Sequence, residues 1–209
     1  VEMLAVIAII AVVVGVAVPA VTSLSRNSQR RAAVTLVLST LDQARGIALA
    51  KSTTCYLVVA NGSPDWPEKL RSRSFAIFEE VYNPTSTRYD MLPLTAWTPL
   101  PDGFAFKPGD DTVFGANSTS PKLKFYCQPA GVEIETPYFK FNNLGTLDEP
   151  NEVQYALLRL FSGEISKTGD VRPNNAYGAA SEEVIRISLN TGRAKREEYK
   201  PGAVTPNAS

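Results

Sequence analysis

Histidine is missing from all 209 residues. That absence removes Ser-His-Asp and Cys-His catalytic arrangements and the commonest ligand of catalytic metals. Cysteine is nearly absent too: only Cys55 and Cys127 occur, each inside an apolar stretch with strand character. Two sulfurs without an imidazole make a poor zinc site, so neither a metal nor a cofactor is expected. The two thiols either pair in an oxidising compartment or stay as buried free cysteines. An excess of charge of either sign is also lacking, with 21 basic against 21 acidic residues. A general electrostatic grip on nucleic acid is therefore not expected.

What the chain does have is a long uncharged run. Met3 to Val21 reads MLAVIAIIAVVVGVAVPAV, nineteen residues without a charge. At about 1.5 Å per residue, such a helix is long enough to cross a bilayer. A cleavable secretory signal has a basic leading region and a shorter apolar core, and neither is visible here. Glu2 stands directly before the run, where a carboxylate is costly unless it stays near headgroups or finds a cation. The macrodipole at a helix N-terminus offers it a blander explanation. Arg26, Arg30 and Arg31 follow the run, and on this fragment alone the positive-inside rule places the following domain in the cytoplasm.

Beyond Thr22 the sequence turns polar, yet Val34, Val37, Leu38, Leu41, Ala44, Ile47 and Ala48 recur at three- and four-residue spacing. One apolar stripe results, and the helix is expected to reach Ser52. The two parts together predict a rod of about 75 Å. The alternative is a separate surface helix after a break at Pro19. Strands are expected over Thr54–Ala60, Leu70–Tyr82, Gly103–Lys107, Lys122–Gln128, Tyr138–Asn142, Val153–Ser162 and Glu183–Leu189, divided by Gly, Pro and Asn clusters. Glu182–Tyr199 has the pattern of a closing hairpin with Gly192 in its turn. The pattern is α+β: an N-terminal helix and an antiparallel sheet head. It divides the chain into 1–22, membrane-spanning; 23–52, amphipathic helix; 53–199, a β-rich head; and 200–209, a disordered tail.

The opening V-E-M-L-A-V-I-A-I-I-A with Pro19 resembles the assembly segment of type IV prepilins and type II secretion pseudopilins. That segment starts Phe-Thr-Leu-(Val/Ile)-Glu after peptidase cleavage. On this alignment Val1 and Glu2 match its last two residues, and a basic leader precedes the given start, restoring the missing orientation signal. Three further segments resemble the H-type minor pseudopilins, the GspH/FimT-like group. They are D-Q-A-R-G-I-A-L-A-K-S-T-T-C-Y-L-V-V from Asp42 to Val59, F-K-F-N-N-L-G from Phe139 to Gly145, and I-S-L-N-T-G-R from Ile187 to Arg193. W-T-P-L-P-D-G from Trp97 to Gly103 resembles the same group. The stretches Asn61–Trp97 and Asn143–Asn175 depart from it in being long and loop-rich.

The resemblance implies a pilin-like fold in a minor pseudopilin or pilin subunit of a type II secretion pseudopilus or type IV pilus. It implies no catalysis. Its implied partners are other pilins through helix packing, a prepilin peptidase, an inner-membrane assembly platform, and the membrane before assembly. The implied location is the bacterial inner membrane, single-pass, with the C-terminal head in the periplasm. The assembly residues are then Glu2, Met3, Leu4, Val6, Ile7, Ile10 and Pro19, with Glu2 pairing with the N-terminal amine of a neighbouring subunit. Two other readings stay open. One is a DNA-uptake pilin contacting DNA through Arg193, Lys195 and Arg196. The other is a membrane-anchored enzyme or ligand-binding domain.

The acidic pairs Glu79-Glu80, Asp110-Asp111, Glu182-Glu183 and Glu197-Glu198 do not read as paired catalytic carboxylates, because neighbours on a strand point to opposite faces; as charged residues they are expected at the solvated surface. Trp66 and Trp97 are expected to cover a small core.

Overall fold

The computed structural model describes residues 28–84, 88–106, 122–127, 132–148, 155–166, 171–173 and 182–197. The apolar segment 3–21, with Glu2 and Pro19, lies outside them, as do Asp110, Asp111, Glu198 and the tail 200–209. Among the described residues no helix is long and apolar enough to cross a membrane.

Helix α1 covers residues 28–51. Ala33, Val34, Val37, Leu41, Ala44 and Ala48 are buried along one face, and Leu36, Leu38 and Ile47 pack at its margins. Three of the buried residues are alanines, so the helix backbone lies close to the sheet behind it. Thr40 shares the face without exposing a polar atom to the core, because its Oγ1 donates to the Leu36 carbonyl at 2.8 Å.

The helix ends through backbone geometry rather than a glycine. Ser52 takes a left-handed φ of 52°. Its N–H donates to the Leu49 carbonyl at 3.4 Å, and the Thr53 N–H donates to the Ala48 carbonyl at 3.1 Å. These two bonds form a Schellman cap and turn the chain straight into the first strand.

The strands form two antiparallel sheets. The first runs in the order β3 (Arg88–Pro93), β2 (Ser74–Asn83), β1 (Cys55–Val59), β7 (Val132–Phe141), β6 (Lys122–Cys127), with β4 (Thr98–Pro99) also on β2. The second runs β11 (Ala194–Glu197), β10 (Glu182–Ser188), β8 (Tyr155–Ile165), β5 (Phe104–Phe106), with β9 (Val171–Pro173) also on β8. Every strand expected from the sequence is present in part. β3 and β9 lie in the two loop-rich stretches, and β4 follows directly after the first; each carries a proline, which weakens a strand signal.

β1 is buried along its whole length because both of its faces are covered. Cys55, Leu57 and Val59 face the core that α1 shares with Phe75, Ile77, Phe139 and Phe141 of the first sheet and Leu158, Leu160, Ile185 and Ile187 of the second. Tyr56 and Val58 face a second cluster with Trp66, Ala76 and Phe78. Trp66 is only 1% exposed, and its ring meets Trp97 edge-on at 4.6 Å. The tryptophans thus seal the outer face of the first sheet, each large buried side chain contributing about 1.5–3 kcal/mol.

Ser52 carries a side chain in a conformation that costs an L-residue about 1–2 kcal/mol. Ser52→Gly is expected to raise stability by about 1 kcal/mol, read as a higher urea midpoint at unchanged slope.

Candidate functional site

Three of the separated segments singled out in the sequence meet at one place on α1. In the first, Arg45 projects from the helix and its Nε donates to the Thr191 carbonyl at 2.7 Å and the Gly145 carbonyl at 3.2 Å. One guanidinium therefore ties the helix to the other two segments, satisfying turn carbonyls that have no sheet partner.

Each turn is built by its own residues. After β7, the Asn142 side-chain oxygen accepts from the Leu144 N–H at 3.0 Å and the Thr146 N–H at 3.2 Å. Its amide donates to Thr146 Oγ1 at 2.6 Å, which is why Asn stands at this position. The turn passes through Gly145 at φ 69°. The β10–β11 turn closes with the Gly192 N–H donating to the Ser188 carbonyl at 2.8 Å, with Gly192 at φ 62°. The two turns are also joined directly, the Leu147 N–H donating to the Leu189 carbonyl at 2.9 Å.

Contact at this junction is too close for side chains. A Cβ on Gly192 would overlap the Gly145 carbonyl oxygen, and one on Gly145 would come within 2.8 Å of Leu49. Leu49 and Leu144 stay exposed at its rim.

A second polar cluster overturns one expectation. Glu182 and Glu183 are not at the solvated surface: both are buried. Arg196 grips Glu183 with both arms of its guanidinium, Nε to Oε2 at 2.7 Å and Nη2 to Oε1 at 2.9 Å. Arg30 of α1 reaches Glu183 Oε1 with its Nε, and its Nη2 donates to the Glu182 carbonyl at 3.3 Å. Arg159 pairs with Glu182 Oε1 at 3.4 Å. Burial here is tolerated because the charges are paired. A signal was available in the sequence, since Glu183 is in phase with the core residues Ile185 and Ile187.

Glu79, Glu80 and Glu197, the other described members of the acidic pairs, are half-buried and each has a partner. Glu79 pairs with Lys51 of α1 at 2.7 Å, while Glu80 on the opposite face accepts from the Tyr56 hydroxyl at 3.2 Å. Glu197 pairs with Arg186 at 3.5 Å.

Arg193, Lys195 and Arg196 are all exposed, and Arg196 is at the same time paired with Glu183. Among the described residues no group of His, Cys, Asp or Glu is arranged to hold a metal.

The disulfide left open for Cys55 and Cys127 is ruled out by register. Cys55 lies opposite Phe141 and Cys127 opposite Val132, at the two ends of β7. At about 3.3 Å per residue they are about 30 Å apart along the strand, far beyond the ~7 Å that pairing allows. Cys55 is a free, buried thiol. Its pKa is pushed up to about 11, chiefly by burial and further by the Glu79 carboxylate, with Lys51 offsetting part.

The class defined by this architecture is α+β, one described helix across two antiparallel sheets, with a polar junction where helix and turns meet. No protein-family model and no curated protein matches the chain. Among solved structures it is similar to the type IV minor pilin FimU of Pseudomonas aeruginosa, at 16% identity over 83% of this chain and 91% of that one, with a TM-score of 0.42. It is also similar to the minor pseudopilin EpsH from the type 2 secretion system of Vibrio cholerae. There the identity is 10% over 85% of this chain and 99% of that one, with a TM-score of 0.42. The assembly residues Glu2, Met3, Leu4, Val6, Ile7, Ile10 and Pro19 lie outside the described residues.

Gly192→Ala is expected to cost about 2 kcal/mol or more, from positive φ and overlap with the facing backbone; a melt indistinguishable from that of the parent chain would contradict the junction. Cys55 is expected to resist alkylation by iodoacetamide at pH 8, where a pKa of about 11 leaves about one thiolate in a thousand, and to react once urea unfolds the chain.

Proposed function

We propose that this chain is a minor pseudopilin or pilin-like structural subunit of a type II secretion pseudopilus or type IV pilus, assembled through its N-terminal helix. The observation that supports this reading is the junction at Arg45. Three segments picked out by resemblance, far apart in sequence, turn out to be one physical contact: Arg45 from the first, Gly145 from the second, and Thr191 with Gly192 from the third. Short patterns that matched by chance have no reason to meet.

In this reading α1 continues the apolar helix of residues 3–21, which rests in the inner membrane before assembly and packs among sister helices afterwards. The head stays in the periplasm. The prepilin peptidase frees the N-terminal amine, the inner-membrane platform receives the subunit, and Glu2 pairs with the amine of a neighbour. Offsetting that charge in a low-dielectric filament core fixes the register between subunits. Pro19 removes one backbone donor and lets the helix bend. The head carries no catalytic role and selects neighbours by its surface.

Glu2→Ala is expected to leave the head's circular dichroism and melting unchanged while incorporation into filaments falls at least about tenfold, the scale set by removing one partner of a buried ion pair. Normal incorporation of that variant would reject the proposal.

A further inference from the structure

Glu183 is 3% exposed, yet two guanidiniums from different parts of the chain converge on its carboxylate. One belongs to Arg30, in the first turn described of α1. The other belongs to Arg196, on the edge strand β11. That strand has no sheet neighbour but β10 among the described residues, and only four register pairs hold it there. Arg30 adds a second tie to the same place through the Glu182 carbonyl.

We propose that Glu183 is a two-armed clasp that makes the residue-28 end of α1 and the edge strand β11 move as one unit. Resting on the assembly reading above, the clasp carries any displacement of the helix during packing to the β11 edge of the second sheet. Without it, the polar ties between helix and head among the described residues are those of Arg45 and Lys51–Glu79 towards the C-terminal end of α1, and at the residue-28 end the one bond from Arg30 to the Glu182 carbonyl, which does not reach β11.

The physical basis is the sign of the charges. Arg30 and Arg196 share one carboxylate, so with Glu183 ionised each is attracted to the centre and the arms hold together. Replacing that carboxylate by an amide leaves two neighbouring cations without their counter-charge, and attraction becomes repulsion. Loss of one arm is different in kind, because the other arm still has its partner. Glu183 therefore couples two segments that each arginine alone cannot couple.

The test is hydrogen exchange on the full chain in detergent micelles, unassembled, comparing Arg30→Gln, Arg196→Gln and Glu183→Gln. Arg30→Gln is expected to speed exchange in residues 28–36 and leave 194–197 alone, and Arg196→Gln to do the reverse. Glu183→Gln is expected to speed both at least about tenfold, with residues 41–51 and Cys55–Val59 unchanged. The clasp is overturned if Glu183→Gln leaves either segment at the parent rate, or if one arginine substitution loosens both segments as much as Glu183→Gln does. Should Glu183→Gln fail to fold, the two arginine variants decide by whether each effect stays on its own segment. No filament is needed for this measurement, so its failure is separable from a failure of Glu2→Ala.

Discussion

The structure depends on burying one face of a helix against two sheets at once. Ala33, Val34, Val37, Leu41, Ala44 and Ala48 fill the space between sheets whose inner faces are Phe, Leu, Ile and Val. Small residues on the helix and large ones on the sheets are complementary choices: the alanines let the backbone approach, and the aromatic rings fill what is left. A helix of this length is marginal alone and draws its stability from such packing. The sheets gain equally, since without α1 the inner face of β1 would lie open.

Packing of this kind is weakly directional, so polar contacts set the register. Arg45 and Arg30 sit fifteen residues apart on α1, about 22 Å along the axis, and both reach the same C-terminal hairpin. One meets its turn at Thr191 and the other the start of its first strand at Glu183. Two separated anchors fix both the rotation and the axial position of a rod, which one anchor does not.

Two glycines mark where the fold admits no side chain. At Gly145 and Gly192 positive φ coincides with contact to Leu49 and to facing backbone. Ser52 accepts the same kind of backbone conformation without glycine, because the two bonds of its cap hold it there. Cys55, with its thiol shielded and its pKa raised, behaves as a small apolar residue at the head of β1.

The sequence alone was enough for the helix, most of the strands and the closing hairpin. Each rests on a local property: the stripe from Val34 to Ala48, the apolar Val184, Ile187 and Leu189, the turn at Gly192. It also sufficed to pick out the segments around Arg45, Gly145 and Gly192. Only the tertiary structure decided that these three touch, that β3 and β9 form in loop-like stretches, that Cys55 and Cys127 stand at opposite ends of β7, and that Glu182 and Glu183 are buried. The reason is one of range. Hydrophobic period and turn chemistry act between residues a few positions apart, whereas ion pairing and strand order join positions such as Arg30 and Glu183, whose separation in the chain says nothing of their distance in space.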